Sequence, residues 1–478
     1  MKTCVPSVAG EFASVKLADA RLHRRIRQVM EKLCRAPDLG FPRAMKSERE
    51  TEGFYRLVGN ARVRYDRLVE AHARETVGRM QPGATVRVIH DTTELSFGGN
   101  PSSRQGLGRL RSDAEQGFFA HVALAVDGSA DARPLGTMGT VCWARTAPPR
   151  RSRKLPGAEL AKIVGKESDR WSELVEQVED RIAGRSSAIH LMDREGDSFP
   201  LFCRLKSQGF RFVVRMARDR AVEREEEGMR LSEAVVTLPQ FLQREVPLTR
   251  RSAKPTPRST HGQRQGRIAK LTVSAGRIAV KKPRYADNDL PDELHINVVY
   301  VQEVDAPDDE EPVAWVLATS EKVGTPEQVA AVVDHYRARW LIEEFFNALK
   351  NGCALEKRQL ESFGALTNVL ALFLPIAWQM LLLRAVSRAE PDAPASQVLT
   401  PTQIAVLSHY QPQKMTARGA TVRQALYAVA GLGGHLKNNG PPGWRTLAAG
   451  MQELTSLTSA WEAAIASLGK TAKRCDQS

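Results

Sequence analysis

The sequence predicts an α/β fold with helical regions at both ends and a basic, strand-rich insertion. Three observations carry that prediction. Short β-rich runs alternate with long amphipathic stretches through the middle of the chain. Residues 244–285 hold twelve Arg or Lys (Arg244, Arg250, Arg251, Lys254, Arg258, Arg264, Arg267, Lys270, Arg277, Lys281, Lys282 and Arg284) against one acid, Glu245. The two ends of the chain show helical periodicity and no strand pattern. At 478 residues the chain exceeds one ordinary core. We expect a helical region over 1–75, an α/β region over 76–385 with the basic insertion at about 235–320, and a helical region over 386–478.

Taken in order, DARLHRRIRQVMEKL places Leu22, Ile26, Val29, Met30 and Leu33 on one helical face, with Asp19 as N-cap and Arg21, Arg24, Arg25 and Arg27 on the remainder. That basic face is either a solvated surface or a phosphate-binding one. ATVRVIHD and SAIHLMDREGD each read as a β-run ending in an aspartate, Asp91 and Asp193. FFAHVALAVDG and TMGTVCWAR read as strands between them, and GAELAKIVGKESDRWSELVEQVEDRIAG as a helix. In the basic segment, KLTVSAGRIAVKK suggests a hairpin around Ala275 and Gly276, a small β element standing beside the main sheet. HINVVYVQEV and VAWVLATS add strands, SRAEPDAPAS (387–396) has linker composition, and GWRTLAAGMQELTSLTSAWEAAIASL closes the chain as a helix.

Composition narrows the function class. Hydrophobic residues at 42% and charged residues at 26% are those of a folded protein. With 69 Lys plus Arg against 55 Asp plus Glu, the net charge is +14, which favours a polyanionic partner: nucleic acid first, an acidic membrane surface second. MKTCVPSVAGEFASVK lacks the apolar run of a secretory signal, so a cytoplasmic protein is expected. VLALFLPIAWQMLLL is too short to span a bilayer and contains Pro375 and Gln379, so it reads as a buried core helix with no membrane role. Six scattered cysteines without a C-x-x-C pair imply reduced thiols and no zinc site.

The stretch YRARWLIEEFFNALK (336–350) concentrates chemistry on one face. At 100° per residue Tyr336, Arg339, Glu343 and Lys350 fall within a stripe roughly 60° wide, beside an apolar band of Ile342, Phe345, Phe346 and Leu349. Asp91, Asp193 and Glu343, distant in sequence, then become candidates for one site. Three convergent carboxylates suit a hard divalent cation such as Mg²⁺, and a pair of such ions suits phosphoryl transfer. Taken singly, an Asp at a strand end is more often a turn or cap residue, and a lone Glu on a helix is usually solvated.

HDTTELSF, LMDREGDSF and YRARWLIEEFFNALKNG, in that order, resemble the three catalytic segments of the DDE transposases of bacterial cut-and-paste insertion sequences. The spacing Y-x2-R-x3-E-x6-K is similar to the Tyr-Arg-Glu-Lys signature of the transposon-five branch. LADARLHRRIRQVMEKL and ETEGFYRLVGN resemble that family's end-binding region, GFRFVVR its strand after the second aspartate, and VAWVLATSEKV the segment before its catalytic helix.

The resemblance implies a ribonuclease H-like catalytic core, a mixed sheet flanked by helices. It implies that Asp91, Asp193 and Glu343 are catalytic and bind metal, two Mg²⁺ ions per site with Mn²⁺ as a substitute. Tyr336, Arg339, Lys350, Arg215, Arg25 and Arg56 would contact DNA, and Trp315 would support a flipped base; a core role for Trp315 stays open. The partners implied are double-stranded DNA, as transposon ends and target, and a second copy of the chain in the DNA complex. End nicking, hairpin formation, hairpin opening and strand transfer would follow one another. The alternative is a catalytically idle DNA-binding or inhibitory derivative of such an enzyme.

Overall fold

The computed structural model describes residues 8–475 except 18, 36, 38, 99–103, 111–114, 146–156, 249–263, 285, 309, 417 and 437–439. Four helices open the chain: α1 (Ala20–Arg35), α2 (Phe41–Met45), α3 (Glu48–Val58) and α4 (Tyr65–Arg79). Asp19 caps α1 through the backbone N–H of Arg21 (2.8 Å), and Ile26, Val29, Met30 and Leu33 are its buried face, as the periodicity requires. Strands β1 (Thr85–Phe97), β2 (Gly108–Arg109), β3 (Gln116–Asp127) and β4 (Pro134–Trp143) follow. Next come α5 (Gly157–Ile182), β5 (Ser187–Met192), α6 (Phe199–Ser207) and β6 (Arg211–Arg215). The chain continues through β7 (Ala221–Arg224), β8 (Glu227–Arg230), α7 (Leu231–Val236), β9 (Gln240–Leu248), β10 (Arg267–Lys281), β11 (Glu293–Val304) and β12 (Ala314–Thr319). Helices α8 (Pro326–Arg337), α9 (Trp340–Asn347), α10 (Phe363–Ala389), α11 (Pro401–Tyr410), α12 (Val422–Leu432) and α13 (Trp444–Cys475) complete it.

The strands form one mixed 12-stranded sheet in the order β2-β3-β1-β5-β6-β12-β11-β10-β7-β8, with β4 on β3 and β9 on β10. Pairing is parallel along β1-β5-β6 and antiparallel at β1-β3 and β6-β12. Because β12 lies beside β6, the basic segment continues the main sheet; the expectation of a separate element beside it is corrected. The expected hairpin is also absent: β10 runs straight through Ala275 and Gly276, pairing with β11 from Lys270 to Lys281. Gly276 serves close packing instead, since a Cβ there would sit 2.6 Å from Leu238 Cδ2. Of the basic side chains, Arg250, Arg251, Lys254 and Arg258 lie outside the described residues.

Helix α10 lies in the largest of the three apolar clusters among the described residues. It is apolar all round and buried along nearly its full length, as expected for a central helix and not an amphipathic one. It is long and apolar enough to cross a membrane, yet here it is enclosed by protein. Asn368 donates to the carbonyls of Val58 (2.9 Å) and Val63 (2.7 Å), fastening the N-terminal helices to it. Residues from Phe12 to Leu454 share one apolar cluster. The segment read as a linker is a packed connection: Ala395 is buried, and its N–H donates to Ala420 O (2.8 Å). Cys34, Cys142, Cys203 and Cys353 are reduced.

The Gly276 contact is testable by a double-mutant cycle. Gly276→Val should cost roughly 1–3 kcal/mol in urea unfolding through overpacking, and the Leu238→Ala background should recover part of that loss. Equal losses in both backgrounds would show that Leu238 is not the constraint.

Candidate active site

Asp91 is not at a strand end as expected. It is the seventh residue of the 13-residue β1, opposite Val122 of β3. Parallel pairing with β5 stops one residue earlier, at His90–Met192, so Asp91 stands where the sheet parts on one side. Asp193 follows β5 directly, and its Oδ1 accepts the N–H of Glu195 (2.8 Å), capping the short turn Arg194–Gly196. The two parallel strands therefore deliver both aspartates to the same end of the sheet.

The stretch from Tyr336 to Lys350 is not one regular helix. Helix α8 ends at Arg337 and α9 starts at Trp340. Between them the chain tightens, with Arg339 N–H to Tyr336 O (3.0 Å), Leu341 N–H to Ala338 O (3.1 Å) and Ile342 N–H to Arg339 O (3.1 Å). Past α9 the chain widens into a π-turn over Ala348–Gly352. The predicted apolar band of Ile342, Phe345, Phe346 and Leu349 is buried.

This altered register sets the contacts. Arg339 Nη1 reaches Asp91 Oδ2 (3.2 Å) while its Nη2 reaches Glu343 Oε1 (2.6 Å), so one guanidinium joins two of the acids. Burial, then the Asp193 carboxylate, push Asp91 up to about 8, against the opposing pull of Arg339 and the Thr92 N–H. Burial works against the charge of Arg339, but Tyr336, Asp91 and Glu343 outweigh it and hold the guanidinium above its ordinary pKa. Tyr336 is buried, and burial raises its phenol. Its ring meets the half-buried Trp315 edge-on at 5.4 Å, and Arg215, whose charge its phenol supports, donates to Ala314 O (3.2 Å). Lys350, carried by the π-turn, donates to Glu94 O (2.6 Å) three residues beyond Asp91, and Glu356 lies 3.7 Å from it.

Arg25 and Arg56 stand apart from this cluster on the N-terminal helices. A Cβ on Gly53 of α3 would strike the Arg25 guanidinium at 2.1 Å, so glycine there lets Arg25 lie flat on the helix. Arg56 is exposed and pairs loosely with Glu52 (3.6 Å).

Several residues of the site escaped the sequence reading. Asp197 is buried and accepts the N–H groups of Ala217 and Arg218 (both 2.8 Å) and the Arg220 guanidinium (2.6 Å), tying the loop after β5 to that after β6. Its signal was the second aspartate of D-R-E-G-D. Glu344, beside Glu343, is gripped by Arg388 at 2.6 and 2.8 Å. Trp340, next to Arg339, is 58% exposed. Behind Asp91, on the other face of the sheet, Glu179, His190 and His90 form a hydrogen-bonded row (2.9 Å at each step). Burial, then His190 and His121, hold His90 neutral, so His90 lends Asp91 no positive charge.

Two family models match the chain: a transposase DNA-binding domain over residues 7–63 and a transposase DDE domain over residues 165–374. The chain is a DDE-type DNA transposase. The DNA-binding match contains Arg25 and Arg56, and the DDE match contains Asp193, Trp315, Glu343 and the α8–α9 turn; Asp91 lies before its start. The fold is ribonuclease H-like, with a mixed sheet between helices. DNA is the transposase's partner, and enzymes of this kind use divalent metal ions. Among the described residues no three His, Cys, Asp or Glu side chains are gathered as a ready metal cage. The donor chemistry fits a hard cation all the same: Asp91 and Asp193 are neighbouring carboxylates whose mutual repulsion the fold leaves under-compensated, and Arg339 occupies the space between Asp91 and Glu343.

The two aspartates of D-R-E-G-D should behave oppositely on substitution. Asp193→Asn removes a charge that opposes Asp91, so the melting midpoint of the metal-free protein should hold or rise. Asp197→Ala strands a buried guanidinium and should cost roughly 3–5 kcal/mol. Circular-dichroism melts of both variants decide it; a large loss for Asp193→Asn would make that residue structural.

Proposed function

We propose that the transposase belongs to the Tyr-Arg-Glu-Lys branch and performs cut-and-paste transposition. It would cut one strand at each transposon end with water, use the released 3′-hydroxyl to form a hairpin, open the hairpin with a second water and join the end to target DNA. The observation that carries this reading is the bridge of Arg339 between Asp91 and Glu343, with Asp193 close enough to raise the Asp91 pKa. It supports a single site built from three acids that are remote in sequence. Asp91, Asp193 and Glu343 are the residues that would hold Mg²⁺, two ions with Mn²⁺ as substitute. Bound there, the metal supplies Lewis-acid activation of the attacking oxygen and stabilises charge on the leaving oxygen.

The remaining residues position DNA. Arg339, once turned from the carboxylates, presents a planar fork to a phosphate. Tyr336 and Arg215 lie beside it, and Lys350 is directed by the π-turn toward the strand that bears Asp91. Trp315 is half-buried against Tyr336, which leaves part of the indole for an unstacked base. The N-terminal helices with Arg25 and Arg56 would hold the transposon end, and the C-terminal helices, with Tyr410 and Ile465 exposed, would pair two copies on DNA. The enzyme would act in the cytoplasm, on the nucleoid.

Alanine at Asp91, Asp193 or Glu343 should abolish Mg²⁺-dependent cleavage of labelled end DNA while binding in EDTA persists. Wild-type protein that binds the ends without cleaving them under Mg²⁺ would instead be an idle derivative.

Trp315→Ala should permit first-strand nicking but slow hairpin formation, because base–aromatic stacking is worth roughly 1–3 kcal/mol. Gel separation of nicked, hairpin and blunt products, beside a thermal melt, checks this. Equal losses at every step with a lowered melting midpoint would make Trp315 a packing residue.

A further inference from the structure

A second concentration of positive charge lies behind the catalytic helix. A pocket of about 260 Å³ opens between α10, α12 and the segment before α13, lined by Arg384, Arg388, Arg423, Tyr427 and Pro442 among others. Two of its arginines converge on one carboxylate. Arg388 grips Glu344 at 2.6 and 2.8 Å, and Arg384 Nε lies 3.8 Å from the same group. Arg384 is fixed in place: it donates to Pro442 O (3.0 Å) and lies over the Trp444 ring at 4.5 Å. Arg423 stands exposed in the wall, and among the described residues no carboxylate lies within ion-pair distance of it.

The balance of charge in this pocket is therefore three guanidiniums to one carboxylate. Burial, then the like charge of Arg388, hold Arg384 below its ordinary pKa, and Glu344 offsets only part of this. The Arg388 side chain is 51% exposed, and two oxygens of Glu344 engage only one of its nitrogens. Donors on that planar fork remain directed away from Glu344. A concave, half-desolvated excess of guanidinium is stabilised by an anion that accepts several hydrogen bonds at once.

We propose that this pocket binds one backbone phosphate of duplex DNA, held by Arg388, Arg384 and Arg423. The inference rests on the transposase reading only in assigning the phosphate to DNA. An overall charge of +14 favours a phosphodiester over an acidic side chain of another copy, which carries the same positive surface. The placement also has a mechanical consequence. Glu344 follows Glu343 on α9 and so projects about 100° around the helix from it. A phosphate seated on the arginines that hold Glu344 would fix the DNA relative to the acids through a few rigid contacts, as a register pin away from the reacting strand.

The test is binding of a short fluorescein-labelled duplex of arbitrary sequence, in EDTA, across a sodium chloride series. Arg423→Glu should lower the affinity roughly tenfold at low salt and reduce the slope of log K against log salt by about 1, the loss of one phosphate contact. Arg423→Lys should keep most of both, and all variants should melt as the wild type does. Arg418→Glu, the same charge change at an exposed residue outside the pocket lining, should leave the slope unchanged. The proposal is overturned if Arg423→Glu binds the duplex like wild type, or if Arg418→Glu matches its loss. Stabilisation of wild type by sodium phosphate, lost in Arg423→Glu while duplex binding is unaltered, would make this a free-phosphate site. Loss of self-association with unaltered duplex binding would make it a contact between copies; either result overturns the DNA assignment. Wild-type protein that fails to bind any duplex would sink the transposase reading itself, whereas normal wild-type binding with an unaffected Arg423→Glu sinks the pocket alone.

Discussion

A carboxylate held in the middle of a strand, in a largely desolvated position beside a second carboxylate, is the constraint around which this molecule is arranged. Asp91 cannot escape to solvent, because β1 continues six residues beyond it in register with β3, and His90, on the face behind it, is held neutral. Compensation must come from the helices across the site. Arg339 supplies it, and the tightened turn between α8 and α9 is the local distortion that lets one guanidinium touch both Asp91 and Glu343. The π-turn that follows sends Lys350 to Glu94, on the same strand. Both departures from α-helical geometry thus fall where a cation must face β1. A regular helix would align the four polar residues along its axis without bending any of them toward the strand.

The same accounting changes the meaning of the net charge. At least four of the eight described basic residues of that segment are paired: Arg244 with Asp334 (2.7 Å), Arg267 with Glu303 and Glu310, Lys281 with Glu223 (2.5 Å) and Glu293 (2.7 Å), and Lys282 with Asp292 (2.8 Å). These pairs stitch β9, β10 and β11 to their neighbours, so among the described residues a run of arginines in sequence is not a bare basic surface in space. Positive charge with little local compensation lies instead on α1, where Arg24, Arg25 and Arg27 are exposed, and in the arginine pocket behind α9. Phosphate contacts are therefore expected from a few separated places, each on a different element.

How much of this could be read from the sequence depends on the range over which each feature is encoded. Periodicity in α1 and the apolar run of α10 are local and were legible, as was Asp193, which a strand ending at Met192 places by itself. The sequence puts Asp91 at a strand end and the structure puts it mid-strand, because ATVRVIHD looks complete and the pairing of HDTTELSF with β3 is a contact between segments far apart in sequence. The supposed hairpin at Ala275–Gly276 failed for a related reason: glycine after alanine signals a turn locally, but here a side chain from residue 238 requires the missing Cβ. The helical stripe put Tyr336, Arg339, Glu343 and Lys350 on one regular helix, whereas the chain tightens and then widens there, a shift that leaves no signature in a 3.6-residue pattern. Asp197 and Glu344 were passed over because a carboxylate's value to the fold lies in its partner, and Arg220 and Arg388 are assigned to them only by tertiary structure.

Helix α10 joins these separate requirements. Its first half holds the N-terminal helices through Asn368. Its last turns hold α9 through Arg388 on Glu344, and the C-terminal segment through Arg384 on Pro442 and Trp444. A helix buried along most of its length is costly to bend, since displacement opens voids in a close-packed interior. The N-terminal helices, the acid on α9 and the arginine pocket are thereby referred to one rigid axis. Cutting a strand at a fixed distance from a bound sequence needs such a reference, because a displacement of about 1 Å at the reacting atoms can cost a hundredfold in rate. Burial of α10 along most of its length therefore does more than stabilise the fold: on the proposed reading, DNA held at the N-terminal helices would keep a fixed distance from Asp91, Asp193 and Glu343.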